Sequence, residues 1–191
     1  MLVVVNGSEA IGDALGEAGF DVAPAYPATF EALVHVPDVT RAAVRTPLSE
    51  TTEEDWDARG EAVLRDALHA CQTAYAAMRR RGGRIVLVTP TIGLVGGDGL
   101  APFAMASEGL RTLAKAAARQ WGRVGITANC VAPSLDVLGI PHDVDDPVPL
   151  ALGRVPGLDG LVAVITALLG PAGDAVTGTT LIVDGGVVMA P

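Results

Sequence analysis

Short runs of β-branched apolar residues, each leading through a turn into a segment of helical spacing, leave this chain few folds to choose from. Leu2-Val3-Val4-Val5 passes through Asn6-Gly7-Ser8 into Ile11-Gly12-Asp13-Ala14-Leu15, the strand, glycine turn and helix that open a parallel α/β sheet. Further strands are expected at Asp21 to Ala23, within Phe30 to Val36, and at Arg84 to Val88, Ile126 to Val131 and Thr179 to Val183. A long helix is expected from Glu53 to Arg80. It opens at Thr51-Thr52-Glu53-Glu54-Asp55, with acids in its first turn, and closes at Gly82-Gly83. Two more are expected at Pro102 to Trp121 and Leu158 to Leu169. The alternation predicts an α/β fold, a doubly wound parallel sheet occupying residues 1–191 as one domain. Such sheets bind ligands beyond the carboxyl ends of their strands, and the Pro-, Asp- and Gly-rich stretch 133–156 is expected to loop over one end.

Half of the 191 residues are hydrophobic and 18% are charged, which excludes a disordered chain. Lys and Arg number 13 against 22 Asp and Glu, a net charge of −9, so no basic stripe is available and nucleic acid is excluded as a main partner. Every apolar run is broken well short of the roughly 18 to 20 residues that span a bilayer, so no membrane partner is expected. Met1 runs directly into the first strand with no basic leader, and a cytoplasmic location is expected. Cys71 and Cys130 show no CxxC spacing and read as reduced core thiols. His35, His69 and His142 are scattered without partner spacing, and no metal site is expected.

Four segments, in order, resemble the short-chain dehydrogenase/reductase family over the last two-thirds of the chain. They are Thr51-Thr52-Glu53-Glu54-Asp55-Trp56-Asp57; Gly83-Arg84-Ile85-Val86-Leu87-Val88; Ile126-Thr127-Ala128-Asn129-Cys130-Val131-Ala132-Pro133; and Val176-Thr177-Gly178 with Val183-Asp184-Gly185-Gly186. The resemblance implies a Rossmann-type sheet that, in working members, binds NAD or NADP and transfers hydride to or from an alcohol or carbonyl. It also implies a Tyr proton donor with a Lys four residues later, a Ser thirteen residues before the Tyr, and an Asn holding a water relay. Here Phe103 stands at the Tyr position and Ser107 at the Lys position. Pro90 takes the Ser position, 103 − 13 = 90, and Val63 the Asn position. A shifted register rescues nothing, because Lys115 is the sole lysine and neither Tyr26 nor Tyr75 precedes it by four. A phenyl ring has no proton to give, so general acid catalysis by this route is closed.

The nucleotide side departs from the family as well. Its TGxxxGxG turn lets backbone approach a pyrophosphate; here the turn is Asn6-Gly7-Ser8-Glu9-Ala10-Ile11-Gly12, one residue shorter, with Ala10 for the middle glycine. Glu9 brings negative charge toward the place of the phosphates. Tyr26-Pro27 follows the second strand where a ribose-gripping acid would stand, and Leu33-Val34-His35-Val36-Pro37 replaces the Asn-Asn-Ala-Gly motif. No cofactor is therefore expected in the loop of Gly7, Ala10 and Gly12. Between Ala23 and Phe30 there is also no room for the helix, strand and helix that the family inserts. Either the second strand is vestigial or residues 24–29 stretch back along the sheet at about 3.3 Å each. The sheet is expected to be truncated after the second strand, with an open adenine side.

Two function classes follow from the resemblance. One is a catalytically inactive homologue serving as a structural or regulatory subunit, paired with an active family member or with itself through helices 53–80 and 102–121 and the segment 158–183. The stripes Leu110, Leu113, Ala114, Ala117, Trp121 and Leu161, Val162, Ile165, Leu168, Leu169 read equally as core or as interface. The other is a divergent enzyme of this fold: an NAD- or NADP-dependent ketoreductase, or a cofactor-independent isomerase, cyclase or dehydratase assisted by Ser107, Glu108 or Asp98. Asp184-Gly185-Gly186 reads as a structural turn, and Glu53, Glu54 and Asp55 as a helix start.

Overall fold

The computed structural model describes residues 1–141 and 150–189. Six strands form one sheet: β1 (Leu2–Asn6), β2 (Asp21–Ala23), β3 (Ala32–His35), β4 (Gly83–Val88), β5 (Ile126–Pro133) and β6 (Thr180–Val183). They lie in the order β2-β1-β3-β4-β5-β6, and every neighbouring pair is parallel. Seven helices accompany them among the described residues: α1 (Glu9–Glu17), α2 (Val39–Ala42), α3 (Glu53–Trp56), α4 (Ala62–Met78), α5 (Ile92–Val95), α6 (Ala101–Trp121) and α7 (Leu158–Leu169). The chain steps outward from β1 to β2 and then returns to β3 on the other side of β1. The carboxyl ends of β1 and β3 thus flank the topological switch point, where a cleft opens in such sheets.

Side-chain alternation sorts the core into two layers. Val4, Leu33, Ile85 and Leu87 face α4 and α6, where they meet Ala67, Cys71, Phe103 and Leu110. Val3, Val34, Val86 and Val88 face the other way, toward Ile11 and Leu15 of α1 and Leu161 and Ile165 of α7. The stripes that periodicity left open resolve here. Leu110, Ala114, Ala117, Leu161, Ile165, Leu168 and Leu169 belong to this chain's own core, while Leu113 and Trp121 are half-buried.

Residues 24–31 take the second of the two expected paths. β2 is a paired strand, Asp21–Ala23 alongside Leu2–Val4, and the chain then runs back without a helix until the Glu31 amide donates to the Leu2 carbonyl at 2.9 Å. Phe30 anchors this return in the α4 side of the core, with the Tyr26 ring edge-on to it at 5.9 Å. The long helix differs from expectation in one respect: a π-helical turn, Asp57–Glu61, separates α3 from α4. At that turn a Cβ on Gly60 would lie 2.9 Å from Met105 Cε and 3.2 Å from the Pro102 carbonyl, so the turn packs closely against the start of α6. The helix start is as expected. Thr52 and Asp55 form a capping box, and Arg59 pairs with Asp55 at 2.7 Å.

No helix among the described residues is long and apolar enough to cross a membrane. Cys71 and Cys130 are both free and buried, and burial pushes each thiol up to about 12.

Candidate functional site

The carboxyl ends of β1 and β3 continue into the Gly7-Ser8 turn and the Val36–Thr40 segment. Ser8 caps α1, its hydroxyl accepting from the Ile11 amide at 3.3 Å, which satisfies one of the donors that a bound anion would otherwise take. Gly7 has φ +100°, and a Cβ there would collide with the Val36 carbonyl oxygen. This glycine is thus required by the neighbouring backbone, with no ligand in the argument. Gly12 is under no such demand, since its nearest neighbours, Val22 Cγ1 and Val5 Cβ, would stand 3.8 and 3.9 Å from a Cβ. Ala10 and Glu9 are exposed on the first turn of α1.

A cavity of about 880 Å³ runs from the Gly7-Ser8 turn along α1 and β2 past Gly12 and Ala23, and two more open at this edge. One, of about 360 Å³, lies between the Gly7-Ser8 turn, the Val36–Thr40 segment and Val137 to Gly139. The other, of about 370 Å³, lies on the α4 side and is lined by Asn6, Tyr26, His35, Val63 and Asp66 among others.

Of the four positions singled out by the family resemblance, Pro90, Phe103 and Ser107 are packed inside, while Val63 is buried but borders the α4-side cavity. Val63 is buried at the start of α4, and Pro90 is buried after β4 in a turn tied to β5 by the Thr91 amide, which donates to the Pro133 carbonyl at 2.9 Å. Phe103 and Ser107 are wholly buried in α6, and the Ser107 hydroxyl donates to the Phe103 carbonyl one turn back at 2.9 Å. The helix α5 lies directly over them: a Cβ on Gly93 would be 2.8 Å from Ser107 Cβ. Glu108, on the same helix, is half-exposed and paired with Arg111 at 2.7 Å, and Arg111 in turn donates to Thr180 Oγ1 at 3.2 Å. The structure therefore separates Ser107 from Glu108: one is internal, the other part of a surface ion pair. Asp98 is exposed, and its carbonyl accepts from Arg45 at 2.5 Å.

Sequence reasoning missed the grouping of Asn6, Tyr26 and His35. Asn6 and His35 are register partners on β1 and β3 and share the face of Val4 and Leu33. The Asn6 amide nitrogen lies 3.2 Å from His35 Nδ1, and the Tyr26 side chain borders the same cavity. His35 is only 3% exposed, and desolvation holds its pKa down to about 4 against the opposing pull of Asp66. Burial raises the Tyr26 pKa, with Asn6 opposing. The available signal was the Tyr26-Pro27 pair itself, an aromatic in a return too short for a helix. His69 is exposed on the rim of the same cavity, and His142 lies outside the described residues. Among the described residues no three His, Cys, Asp or Glu side chains gather as a metal site.

Asp184 is buried, and its carboxylate accepts from the amides of Gly186 at 2.9 Å and Val188 at 2.8 Å, as a structural turn requires. Asp184→Ala strands both amides, and a loss of about 1–3 kcal/mol is expected in urea unfolding.

The family model described as enoyl-(acyl carrier protein) reductase matches residues 15–188. The chain belongs to the short-chain dehydrogenase/reductase family. Among its relatives, the 3-oxoacyl-acyl-carrier-protein reductase FabG of Escherichia coli is 28% identical over 207 residues, covering 96% of this chain and 84% of FabG. A tropinone reductase homologue of Arabidopsis thaliana is 30% identical over 154 residues, 75% of this chain. The chain spans only half of that protein's length. An Escherichia coli K-12 structure described as an oxidoreductase superposes with a TM-score of 0.82 at 20% identity, covering 100% of this chain and 97% of the other. In this short-chain dehydrogenase/reductase the sheet, the switch point and the order of helices are the family's.

Proposed function

We propose that this chain is a catalytically inactive member of the short-chain dehydrogenase/reductase family. It acts as a structural or regulatory subunit, paired with an active family member or with a second copy. The observation that carries this reading is the closed interior at three of the chemical positions: Pro90, Phe103 and Ser107 are buried, and the one hydroxyl among them is spent on the Phe103 carbonyl. Without an ionisable group beside a hydride acceptor, no proton accompanies the hydride. The outer side of α4 and α6 keeps apolar surface that the core does not absorb. Leu68 is exposed, Met105 and Leu113 are half-buried, and the Tyr75 and Trp121 rings stack at 4.9 Å at the far end.

The reading is tested with the purified chain and NAD, NADH, NADP and NADPH. A ligand held at about a hundred times its Kd raises the melting temperature of a domain this size by roughly 5–10 °C. No rise is expected with any of the four. Co-expression with a full-length family member encoded beside it is expected to yield one mixed complex in size-exclusion chromatography. Separate species, or a nucleotide-dependent rise, overturn the reading.

A further inference from the structure

The 22 acidic residues of this chain are unevenly spread, and none stands between Glu108 and Asp136, a stretch that holds most of α6 and all of β5. Arg111, Lys115, Arg119 and Arg123 recur there at every fourth position, so the first three share one flank of α6. Like charges at this spacing repel one another. Arg111 is relieved by Glu108 at 2.7 Å and by Thr180 Oγ1 at 3.2 Å. The Lys115 and Arg119 side chains are exposed, and among the described residues neither has a hydrogen-bond or ion-pair partner. The helix dipole accounts for a cation in the last turn, where Arg119 lies, but its influence fades within that turn and does not reach Lys115.

Both cations line one cavity of about 460 Å³, whose other walls are Ala118, Thr177 and Gly178. The wall facing α6 is held in place by β5. The Gly178 amide donates to the Ala128 carbonyl at 2.7 Å, and Asn129 Nδ2 donates to the Val176 carbonyl at 2.8 Å. Thr177 Oγ1 accepts from the Ala128 amide at 3.1 Å, which leaves its own proton to donate. The lining thus offers an ammonium, a guanidinium and a hydroxyl, and no carboxylate.

That donor set selects the ligand. A cation is repelled, and a neutral molecule leaves the repulsion between Lys115 and Arg119 in place. The two side chains leave α6 about 6 Å apart along its axis, the rise of four residues. A carboxylate has one charge and two oxygens to divide between them. A phosphate group carries up to two charges and enough oxygens to meet both cations and the hydroxyl together.

We propose that this cavity binds a phosphate or diphosphate group, Lys115 and Arg119 pairing with its oxygens and Thr177 donating to it. The site lies about two turns beyond Ser107 along α6. It does not rest on the reading of the chain as inactive or as a subunit.

The test exploits the sole lysine: the full chain labelled with 15N-lysine gives one ε-ammonium and one backbone amide signal, both from Lys115. The probes are inorganic phosphate, diphosphate and glycerol 3-phosphate, with acetate and chloride at matched ionic strength as controls. The phosphates are expected to shift the ε-ammonium signal saturably, with acetate at least about fivefold weaker and chloride giving no saturation. Tightest binding of diphosphate or of glycerol 3-phosphate supports the proposal and distinguishes a free anion from a phosphate ester as the bound form. Arg119→Gln is expected to weaken the tightest probe by about fivefold or more, the loss of one charge-assisted contact. Arg41→Gln, which removes an exposed charge from α2, is expected to change nothing. Four outcomes overturn the proposal: no saturable shift with any phosphate up to tens of millimolar; the same response to chloride, meaning screening of surface charge only; binding undiminished in Arg119→Gln; or equal weakening in Arg41→Gln.

Discussion

Ser107→Lys, which places a lysine where the family resemblance implies one, is expected to lose about 4 kcal/mol or more of folding stability and to gain no dehydrogenase activity. Ser107 is wholly buried, its hydroxyl satisfied within α6, and the α5 backbone at Gly93 leaves no space beside its Cβ. A lysine there adds volume to a packed layer, which alone costs about 1–3 kcal/mol, and it brings an ammonium with no uncommitted carboxylate to receive it. Glu108 Oε1 lies against the same Gly93 backbone but is already paired with Arg111 at 2.7 Å, so the new ammonium has to compete with Arg111 for it. The measurement is the urea midpoint of the variant beside Phe103→Tyr, with a spectrophotometric assay for NADPH turnover on both and on the double variant. A stable Ser107→Lys protein, or turnover in the double variant, would show that the interior opens in solution and that the proposed inactivity rests on the side chains alone.

Gly7→Ala is the second large effect, with an expected loss of roughly 3 kcal/mol or more. The residue sits at φ +100°, where any side chain is strained, and its Cβ would enter the space of the Val36 carbonyl oxygen. That carbonyl belongs to the segment leaving β3, held where the Val36 amide donates to the Asn6 carbonyl at 2.8 Å. Neither side has freedom to withdraw. Gly12→Ala is the internal contrast, because a Cβ there meets only side-chain carbons at ordinary contact distance and helix interiors prefer alanine. A pair of urea titrations therefore separates the two glycines: a large drop at Gly7, and little change or a slight gain at Gly12. Equal losses at both would indicate that the turn is shaped by something other than Val36.

The legible part of this protein was local. The strands at Leu2, Arg84 and Ile126 were set by β-branched runs, and the cap at Thr52 by its spacing to Asp55. The π-helical turn escaped because no local spacing marks it, and the neighbours that Gly60 packs against, Pro102 and Met105, lie in a different helix. At the candidate site, Val63, Pro90, Phe103 and Ser107 were read by position, yet their burial, and the closing of α5 over Ser107, was invisible to spacing. The stripe of Leu110, Ala114 and Ala117 has the same period whether it meets its own sheet or a partner, so its core role emerged only from the packing.

Residue identity and period are one-dimensional properties, and they were sufficient to establish that this chain makes a parallel α/β sheet and possesses no tyrosine and lysine four apart. Which distant segments meet depends on strand order and register, and these only the folded chain decides. The pairing of Asn6 with His35, the return that brings Tyr26 to the cavity they line, and the cavity along α4 arise because β3 pairs directly with β1 while eight residues, 24–31, do the work of a full crossover.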